Sequence, residues 1–526
     1  MTCFLCIVVT IETARILAIM PLPSYSHQVA YRTIWTTLSR RGHDVVLITT
    51  DPINDPSLTN LTEINIHSTY KISRKIDFVK MMELSFMNAL RTQAWPACLE
   101  ISEMIYKHPE VRKIYVSNND QQFDVVIAEI ILTPSFYGLA HRFNAPLIGI
   151  SSLELSNNNY YLLGAPVLPS HPSAWEMRLD TGFNLSLWQR IRNFIRQWYH
   201  IYCVIYHYYP KHQAIAEKYL GNDIPDISDI ERNISIVLEN QQEVLSFSRP
   251  KAPNIISFGN LHISKKLMAL SKDLMEFITN APNGFIYMSL GTNVMMTSFP
   301  NNIQQIFRDV FANMPCKVLW KYEGELINKP DNIYIAKWFP QQSILAHSNI
   351  KLFIYQGGLQ STEEAIYYKV PVLGLPVMAD QHIQLKKVEL LGIGKRLNII
   401  NMSKEYLNNS IIDMLTNEKY KKRILEIKAL NEDKPYDLLE HVIWWIEFVI
   451  RHKGAFHLHT SIANDLWYMK FDIDVIAILS VFIFVILLCG IVVIYKLLKM
   501  ILTRKKITIS VSSTILTGKK NNKIQQ

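Results

Sequence analysis

Runs of apolar residues recur along the chain between turns and helix-like stretches, and this recurrence is the strongest constraint on its fold. In the first half the runs are RILAIM (15–20), GHDVVLIT (42–49), FDVVIAEI (123–130) and APLIGISS (145–152). They predict buried strands, and the helical stretch between the first two predicts a β-α-β unit with parallel strands. The first half is therefore predicted to be an α/β domain.

The alternation starts again in the second half, after SRPKAPNIISFGNLH (248–262), a segment punctuated by prolines and glycine. We interpret this segment as the connection between two domains. The apolar runs beyond it are GFIYMSLGT (284–292), CKVLWKY (316–322), NIYIAKWFP (332–340), IKLFIYQGG (350–358) and VPVLGLP (370–376). Two such halves predict two doubly wound domains that face one another, with ligands in the cleft at the carboxyl ends of the strands.

A stretch of 21 residues without a charge, VIAILSVFIFVILLCGIVVIY (475–495), predicts a transmembrane helix, long enough to cross an apolar bilayer core of about 30 Å. The alternative is a buried core helix, but basic residues flank the stretch on one side only. Residues 496–526 hold eight basic and no acidic residues, so the net charge of +9 leaves +1 for the rest. The positive-inside rule places this basic tail in the cytosol, and the nearly neutral body excludes general nucleic-acid binding.

The N-terminal residues 1–14, with an apolar stretch at 3–11, are interpreted as a signal peptide cleaved near Ala14. Before the membrane span the chain carries N-x-[ST] sequons, which are compatible with a lumenal body, at Asn60, Asn184, Asn233, Asn401 and Asn408. The cysteines between signal and span are widely spaced, at Cys98, Cys203 and Cys316. They form neither a disulfide framework nor a zinc-binding pattern.

The run FIYQGGLQSTEEA (353–365) reads as a strand, a two-glycine turn and a helix, an arrangement suited to an anion. Gly357 and Gly358 permit positive φ and close approach of a ligand. The helix is predicted to begin near Ser361, where free N–H groups and the helix dipole favour negative charge. The competing interpretation is a capping box, Ser361-x-x-Glu364. The two interpretations differ in whether the Glu364 carboxylate turns back to the helix start or out to a ligand hydroxyl.

Motifs on both sides of this turn extend the pattern. W-x-P-Q at 338–341, G-G-x-x-S-x-x-E at 357–364 and P-x-x-x-x-P-x-x-x-D-Q at 371–381 lie within 44 residues. Together they resemble the signature of the family 1 UDP-glycosyltransferases, which include the UDP-glucuronosyltransferases. The resemblance runs from PLPSYSHQ (21–28) to the membrane span, and LQSTEEA is similar to invertebrate members. It implies a GT-B fold of two facing Rossmann-like domains followed by one C-terminal transmembrane helix.

The resemblance also implies how a UDP-sugar is held. Trp338 would stack on uracil, Gln341 would bond the uracil or ribose edge, and Glu364 would accept hydrogen bonds from the ribose hydroxyls. A core position is the alternative for Trp338. The diphosphate would lie against two turns and the helix start, at Ser289, Thr292, Gln356, Gly357, Gly358, Gln360 and Ser361. Asp380 and Gln381 would bond the sugar hydroxyls, because a sugar ring presents several donors at once. His347 is expected to be structural.

One residue departs from the family pattern, because Gln356 stands where the family usually has a histidine that donates to the β-phosphate. Gln356 can donate an N–H but cannot become cationic. A charge-assisted hydrogen bond is about twice as strong as a neutral one. The substitution is therefore expected to weaken leaving-group stabilisation more than UDP binding.

The same resemblance assigns the general base to His27, on the turn after the first strand. An imidazole is suited to taking a proton from an attacking hydroxyl near neutral pH. Glu129 matches the acidic partner that would fix the tautomer of the imidazole and stabilise its cation, as in a triad. Direct displacement would invert the anomeric centre. No cofactor or metal is expected, and the D-x-D motif at 472–474 is interpreted as a chance match.

The predicted organisation is a signal peptide (1–14), an acceptor-binding domain (15–250), a UDP-sugar-binding domain (251–450), a lumenal juxtamembrane segment (451–474), the membrane span (475–495) and a cytosolic tail (496–526). The last helix before the membrane is expected to cross back over the first domain. The aromatic-rich residues 155–225 are predicted to be mostly helical, and the segment near 155–210 is expected either to line the acceptor pocket or to pack helices together.

The predicted activity is inverting transfer of a hexose, glucose favoured over glucuronic acid, to a hydroxyl of a small lipophilic acceptor. The alternative is a binding protein of the same fold with impaired transfer. The expected partners are a UDP-sugar, the acceptor and membrane lipid, with homo-oligomerisation left open. The expected location is the endoplasmic reticulum membrane, as a single-pass type I protein with lumenal catalytic domains.

Overall fold

The computed structural model of the protein describes residues 13–116, 122–180, 183–326 and 328–521. The chain forms two compact units, Met1–Ala463 and Asn464–Gln526. Residues 1–12 of the predicted signal peptide and residues 522–526 of the predicted tail lie outside the described residues.

Seven strands within the described residues of the first unit form one sheet. They are β1 (Arg15–Met20), β2 (Asp44–Thr49), β3 (Leu61–Asn65), β4 (Val125–Glu129), β5 (Leu147–Ser151), β6 (Ile236–Asn240) and β7 (Ile255–Phe258). Their order is β3-β2-β1-β4-β5-β6-β7, and every pair is parallel. The chain reverses its direction of strand addition between β1 and β4, so the carboxyl ends of these strands flank the switch point of a doubly wound sheet.

Alternate residues of β1 explain why this sheet is covered on both faces. Leu17 and Ile19 pack into one apolar cluster, whereas Ile16 and Ala18 pack into another, because successive side chains of a strand point to opposite faces. The α-helices of this half are Tyr25–Val29, Arg32–Arg40, Tyr70–Ser73, Phe78–Glu83, Phe86–Ala89, Trp95–Lys107, Pro109–Val116, Gly138–Arg142, Asn157–Leu162, Leu187–Cys203, Tyr209–Leu220 and Ile227–Arg232. Residues 155–225 are mostly helical, as predicted, because they contain the helices Asn157–Leu162, Leu187–Cys203 and Tyr209–Leu220 and the helical turns Trp175–Asp180 and Val204–Tyr208.

A second parallel sheet follows in the same unit, with six strands among the described residues. They are β8 (Phe285–Ser289), β9 (Lys317–Lys321), β10 (Ile333–Ala336), β11 (Ile350–Tyr355), β12 (Val372–Gly374) and β13 (Gly394–Arg396). Their order is β10-β9-β8-β11-β12-β13, with the switch point between β8 and β11. The predicted pair of doubly wound parallel sheets is therefore confirmed.

The helices that follow the connection cover the second sheet, except for the last. Their bounds are Lys272–Thr279, Asn301–Ala312, Gln341–Leu345, Leu359–Tyr367, Gln381–Leu391, Lys404–Thr416, Lys419–Glu432 and Leu438–His452. Shorter 3₁₀ or π turns occur at His67–Thr69, Leu90–Ala94, Pro134–Tyr137, Trp175–Asp180, Val204–Tyr208, Glu243–Leu245, Met296–Ser298, Phe456–Leu458 and Ser461–Ala463.

The helix Leu438–His452 packs on the first sheet, as expected for the last helix before the membrane. Val442 and Ile446 belong to the same buried cluster as Trp35 and Leu38 of the helix Arg32–Arg40. Sequence analysis placed a boundary at 250/251, but β7 completes the first sheet beyond that position. The first half is thus built from the chain up to the end of β7 together with the later helix Leu438–His452.

The unit Asn464–Gln526 contains the helices Trp467–Lys470 and Ile473–Asn521. Within the described residues, Ile473–Val511 is the one helical stretch long and apolar enough to cross a membrane, and its most apolar window is not buried by protein. The predicted span 475–495 lies inside it.

Candidate active site

Three side chains converge at the carboxyl ends of neighbouring strands in the first sheet. Glu129 is the last residue of β4, and Ser152 directly follows β5. His27 lies in the short helix Tyr25–Val29 that follows β1. Because β4 lies between β1 and β5, residues that are more than 100 positions apart meet at one edge of the sheet.

His27 and Glu129 form a hydrogen-bonded pair. His27 Nδ1 lies 2.8 Å from Glu129 Oε1 and 2.8 Å from the Ser152 hydroxyl. Glu129 is only 1% exposed. When the imidazole is neutral and donates from Nδ1 to this carboxylate, Nε2 is left as the acceptor. The pair therefore orients a ring nitrogen that can receive a proton.

Tyr31 adds a hydrogen bond to Glu129, because its hydroxyl donates to the same Oε1 at 3.3 Å, whereas Oε2 has no hydrogen-bond partner among the described residues. Burial and then the charge of Glu129 hold the Tyr31 pKa well above its ordinary value. The phenol therefore remains a proton donor to the carboxylate throughout the neutral range.

A cavity of about 920 Å³ opens beside His27 and has walls from both halves of the unit. Most of its lining is apolar, as illustrated by Phe78, Phe86, Trp95, Leu132, Trp175 and Met295. A volume of about 300–1,000 Å³ is usual for small-molecule sites. The aromatic-rich region contributes Trp175, Val204 and Tyr208 to this wall, so it lines the pocket as well as packing helices. The cavity can enclose a largely apolar molecule next to the imidazole.

Hydrogen bonds and charge connect the two halves across this cleft. Gln360 Nε2 donates to the Ser152 carbonyl oxygen at 2.9 Å, and Asn293 Nδ2 donates to the Ser24 hydroxyl at 2.9 Å. Burial raises the pKa of Asp380 to about 6, and the proximity of His27 opposes that rise. The second half is thus held against the segment after β1 that carries Ser24 and His27.

The two glycines after β11 are in different surroundings, so the reason for glycine differs between the two positions. Gly357 has φ +93, and a Cβ there would lie 2.5 Å from Leu385 Cγ, so the chain itself requires glycine. Gly358 has an ordinary φ of −66, and a Cβ there would meet only Gln356 Nε2, at 3.9 Å. The space beside Gly358 is therefore open to a molecule from outside.

The helix after this turn begins at Leu359, so the predicted start near Ser361 is wrong by two residues. Its N-cap is Gly358, which offers no side chain, and Ser361 is the third helical residue. The capping-box interpretation is therefore wrong, because the cap position already precedes Ser361. The free N–H groups of this helix start lie at the glycine turn, where an anion would find them.

The Glu364 carboxylate turns toward the helix Gln341–Leu345. Its Oε2 accepts from Gln341 Nε2 at 2.7 Å, and its Oε1 accepts from Gln342 Nε2 at 3.0 Å. Burial raises the Glu364 pKa to about 7, although both amide donors oppose the rise. Glu364 is thus a buried acceptor held by two glutamines, and lone pairs of its oxygens remain for further donors.

Two of the residues predicted at the diphosphate lie at the end of β8 and on the turn that follows it. Ser289 Oγ accepts from the Gly291 N–H at 3.3 Å, and Thr292 lines the cavity. Gln356 reaches this turn, because a Cβ on Gly291 would lie 2.5 Å from Gln356 Nε2. Gln356 Oε1 is buried without a hydrogen-bond partner among the described residues. The Gln356 amide therefore lies between the turns that end β8 and β11.

The predicted nucleotide residues Trp338 and Gln341 follow β10. Trp338 is 53% exposed, so the core alternative for it is wrong. Gln341 is engaged within the protein, because its Nε2 also lies 3.0 Å from Ser361 Oγ and its Oε1 accepts from Tyr287. An exposed indole face is available for stacking, whereas Gln341 fixes Glu364 and Ser361.

Asp380 and Gln381 lie at the start of the helix Gln381–Leu391, and both are buried. Gln381 Oε1 accepts from the N–H groups of Val377 and Met378 at 2.8 and 2.9 Å. This amide oxygen therefore shapes the loop after β12, which leaves the amide N–H₂ of Gln381 for a ligand, whereas the Asp380 carboxyl also contacts the Gln384 side chain.

Four residues that support the predicted ones were not predicted from the sequence, namely Ser152, Tyr31, Gln342 and His262. Ser152 ends one of the predicted strand runs, so its position at a carboxyl edge was the available signal. The supporting residues otherwise lack a motif. His347 has the structural role that was expected, because Nδ1 accepts from the Asn349 N–H and the ring packs 5.6 Å from Phe285.

No group of three or more His, Cys, Asp or Glu side chains in the described part of the chain is arranged to hold a metal ion. The D-x-D residues Asp472 and Asp474 belong to the Asn464–Gln526 unit.

Comparison with known proteins identifies relatives along almost the whole chain. The family described as "UDP-glucoronosyl and UDP-glucosyl transferase" matches residues 15–507. UDP-glucosyltransferase 2 of Dactylopius coccus is 30% identical over 482 residues, which cover 90% of this chain and 91% of the relative. The ecdysteroid UDP-glucosyltransferase of Spodoptera littoralis nuclear polyhedrosis virus is 31% identical over 495 residues, which cover 89% and 94%.

Solved structures share the fold. A variant of Os79 from O. sativa in complex with UDP superposes with a TM-score of 0.55 at 16% identity, over 83% of this chain and 99% of that structure. At this identity the likeness concerns the fold, which is the paired parallel-sheet arrangement described above.

Proposed function

The chain belongs to the UDP-glucuronosyl and UDP-glucosyl transferase family, and from this premise we propose that it transfers a hexose to a hydroxyl of a small lipophilic acceptor with His27 as general base. UDP-sugar hexose transfer follows from the family. The finer assignment is carried by one observation, the hydrogen-bonded His27–Glu129 pair at the wall of an apolar cavity between the two sheets.

In the proposed reaction the acceptor lies in the 920 Å³ cavity with its hydroxyl directed at His27 Nε2. Nε2 takes the hydroxyl proton as the oxygen bonds to the anomeric carbon. The bond from that carbon to the β-phosphate oxygen breaks, and UDP leaves with the electron pair. Glu129 stabilises the imidazolium that forms, as an acidic partner does in a triad.

We propose inversion because His27 is placed to act as a base on the acceptor. The base belongs to the first sheet and the donor turns belong to the second, which suits an attack from the side opposite to the leaving diphosphate. A single in-line displacement converts an α-linked sugar into a β-glycoside. This account predicts one transition state and no glycosyl-enzyme intermediate.

The donor site is proposed to run along the carboxyl edge of the second sheet. Trp338 stacks on uracil, a contact worth about 1–3 kcal/mol in other base-stacking sites. Glu364 accepts from the ribose hydroxyls, and Gln341 acts mainly by holding Glu364. The N–H groups at the helix start, with the residues of the two turns, carry the diphosphate charge without a metal. The Gln360 side chain is excluded from that role by its bond to Ser152.

Glucose is the proposed sugar, with Asp380 and Gln381 as its hydroxyl partners. The carboxylate of glucuronic acid would need a cation, and Lys321 lines the cavity at the end of β9. However, Lys321 Nζ lies 2.8 Å from Glu323 Oε1, so its charge is already balanced. The two relatives described above are named glucosyltransferases, which supports the same choice.

A lipophilic acceptor is supported by the cavity lining and by one relative's name, which specifies an ecdysteroid. The rival function, binding with impaired transfer, is favoured by Gln356, which cannot supply a positive charge to the leaving group. Both functions predict UDP binding, so turnover is what separates them.

The decisive experiment is a product assay with UDP-glucose and UDP-glucuronic acid side by side, against a panel of phenols and alcohols. We expect a β-glucoside with UDP-glucose, and transfer lowered about 10²–10⁴-fold in His27→Ala despite retained UDP binding. Equal products from the two donors would refute the sugar assignment. Transfer by His27→Ala at the unmodified rate would refute the base.

The cellular setting is proposed to be the endoplasmic reticulum membrane, with the first unit in the lumen and residues 496–526 in the cytosol. Of the sequons, Asn60, Asn184, Asn233 and Asn401 are exposed and Asn408 is half-buried. Expression in cells should therefore give a ladder of glycoforms that endoglycosidase collapses. An unglycosylated first unit that external protease digests in intact microsomes would refute this orientation.

A further inference from the structure

A buried polar contact joins the connection between the two halves to the helix Leu359–Tyr367. Glu363 of this helix is 0% exposed. Its Oε1 accepts from Gln242 Nε2 at 2.6 Å and from the Asn260 backbone N–H at 3.2 Å. Asn260 Nδ2 also donates to Gln242 Oε1 at 3.3 Å. One oxygen of this buried carboxyl is thus fully engaged by residues outside the second sheet.

The other oxygen of Glu363 faces His262. Glu363 Oε2 and His262 Nδ1 lie 3.6 Å apart, and neither atom has a hydrogen-bond partner among the described residues. His262 Nε2 lies 3.1 Å from the Gln360 carbonyl oxygen, which can only accept, so Nε2 carries a proton. With a neutral ring and an ionised carboxyl, two lone pairs would face one another away from water, an arrangement that is costly.

We propose that Glu363 and His262 share one further proton, and that this pair positions the start of the donor-binding helix. This proposal rests on the proposed function in one respect, namely that the helix Leu359–Tyr367 binds the UDP-sugar donor. Burial supports a neutral pair, because it raises the Glu363 pKa to about 7 and lowers the His262 pKa to about 4. Below pH 7 the proton therefore resides on the carboxyl, whose Oε2 faces Nδ1 at 3.6 Å.

The pair acts on donor binding through His262. Its Nε2 holds the Gln360 carbonyl, and its own carbonyl accepts from Gln342 Nε2 at 3.0 Å. Gln342 also holds Glu364 at 3.0 Å. Both the helix start and the ribose carboxylate are therefore fixed from the same side. Glu363 is a positioning residue, because it acts on UDP only through these neighbours.

Glu364 is the titratable group beside the pair, and His262 Nε2 lies 3.7 Å from its Oε1. The remaining partners of Glu363, Gln242 and Asn260, are uncharged. Glu364 helps to raise the Glu363 pKa, since two neighbouring buried carboxylates repel. When bound ribose hydroxyls favour ionised Glu364, Glu363 holds its proton more tightly. Loss of that proton at alkaline pH should weaken donor binding.

Glu363→Gln tests the shared proton, because its amide offers an oxygen to Gln242 and an N–H to His262 Nδ1. UDP affinity is measured by calorimetry from pH 6 to 9, without acceptor. For the unmodified protein we expect the UDP Kd to rise about fivefold or more above pH 7, the effect of about 1 kcal/mol. For Glu363→Gln that rise should disappear, with a Kd near pH 6.5 within about twofold of the unmodified value.

Glu363→Leu removes both functions of the carboxyl and should raise the UDP Kd and the donor KM about tenfold at every pH, with a smaller effect on kcat. Glu276→Gln, at an exposed position on the helix Lys272–Thr279, is the matched control and should change neither. An alkaline rise that persists in Glu363→Gln, or a tenfold loss of affinity in that variant near pH 6.5, would overturn the proposal.

A stability measurement tests the proton independently of UDP. The folded-state pKa of Glu363 is about 7, above the ordinary 4.5, so its proton stabilises the fold fully below pH 4.5. This contribution is lost as pH rises from about 4.5 to 7. The melting temperature of the unmodified protein should therefore fall relative to that of Glu363→Gln across this window. If the melting temperatures of the two proteins change in parallel with pH, the shared proton is refuted. This outcome does not depend on whether the donor binds at this helix.

Discussion

Gln360 of the helix Leu359–Tyr367 donates a hydrogen bond of 2.9 Å to the carbonyl oxygen of Ser152, whose hydroxyl lies 2.8 Å from His27 Nδ1. The bond joins the start of the donor helix to the residue that, with Glu129, fixes the proposed base. Correct placement of the second half therefore also supports the position of the imidazole in the first half.

Gln360→Ala is expected to lower kcat about fivefold, since it removes one neutral hydrogen bond of about 1 kcal/mol. UDP affinity should change little, because the backbone N–H of residue 360 remains. Steady-state kinetics with calorimetric UDP titration separate the two effects. Gln305→Ala, on the exposed face of the helix Asn301–Ala312, is the control. An equal loss in UDP affinity would show that the side chain binds the donor instead.

His27→Ala is expected to lower transfer about 10²–10⁴-fold, the usual contribution of a general base. UDP binding should persist, because the donor turns belong to the second sheet. Glu129→Gln should retain partial activity, since an amide can still contact Nδ1 but cannot stabilise an imidazolium. Initial rates at saturating substrates measure both. A Glu129→Gln variant that is slower than His27→Ala would contradict this ordering.

UDP affinity is expected to fall on the acid side of neutrality because of Glu364. Its pKa is raised to about 7 without ligand, and ribose hydroxyls donate best to the ionised form. Binding should therefore weaken as pH falls below about 7, and together with the alkaline loss expected from Glu363 this gives the highest UDP affinity near neutral pH. Isothermal titration at several pH values should also show proton release on binding near pH 6.5. Glu364→Gln should bind UDP more weakly, and its UDP affinity should no longer fall as pH is lowered below 7. If the affinity of this variant still falls at acid pH, the titrating group is not Glu364.

The two adjacent glycines provide a matched pair of substitutions. Gly358→Ala should fold normally, since φ is ordinary and the added Cβ meets nothing closer than 3.9 Å. It should nevertheless raise the donor KM, because the methyl group enters the proposed phosphate space. Gly357→Ala should lower the melting temperature, because it combines φ +93 with a 2.5 Å approach to Leu385. A normal donor KM in Gly358→Ala would remove the diphosphate from this turn.

Gln356→His is expected to increase kcat more than UDP affinity. The imidazolium would add a charge-assisted bond to the leaving β-phosphate, and the gain of about 1 kcal/mol corresponds to about a fivefold higher rate. The gain should shrink as pH rises above the pKa of the new histidine. Kinetics from pH 5.5 to 8.5 test this directly. A uniform gain at all pH values would contradict a role for positive charge.

The fold was largely predictable because continuous apolar runs identify buried parallel strands. Four strands among the described residues were missed, and one of them, Ile236–Asn240, is a buried interior strand whose apolar run was not assigned. The other three lack this signal or carry a misleading one. Leu61–Asn65 and Gly394–Arg396 are edge strands with few apolar residues. Ile255–Phe258 lies in a proline-rich segment that reads as a connection. Edge position relaxes the demand for apolar residues, so composition alone cannot identify such strands.

The residues of the candidate site that belong to a sequence motif were predictable. The residues that only support them by contacts in the fold were not. Glu364 and His27 are motif positions, whereas Ser152 and His262 lie near them only because distant strands end together. Gln360 shows the limit most clearly, because its backbone position suits an anion but its side chain crosses the cleft. Only the three-dimensional arrangement shows which of these two functions the side chain performs.

The helix Leu438–His452 closes the apolar face beside Trp35 and Leu38, and this has a consequence for biosynthesis. A nascent chain cannot bury that face until more than 430 residues have been made, although the strands beneath it are among the first to emerge. The N-terminal half therefore exposes this apolar face until the last helix has been synthesised. During that time it requires chaperones to prevent aggregation. Truncations before residue 452 should aggregate even when every residue around the cavity is retained.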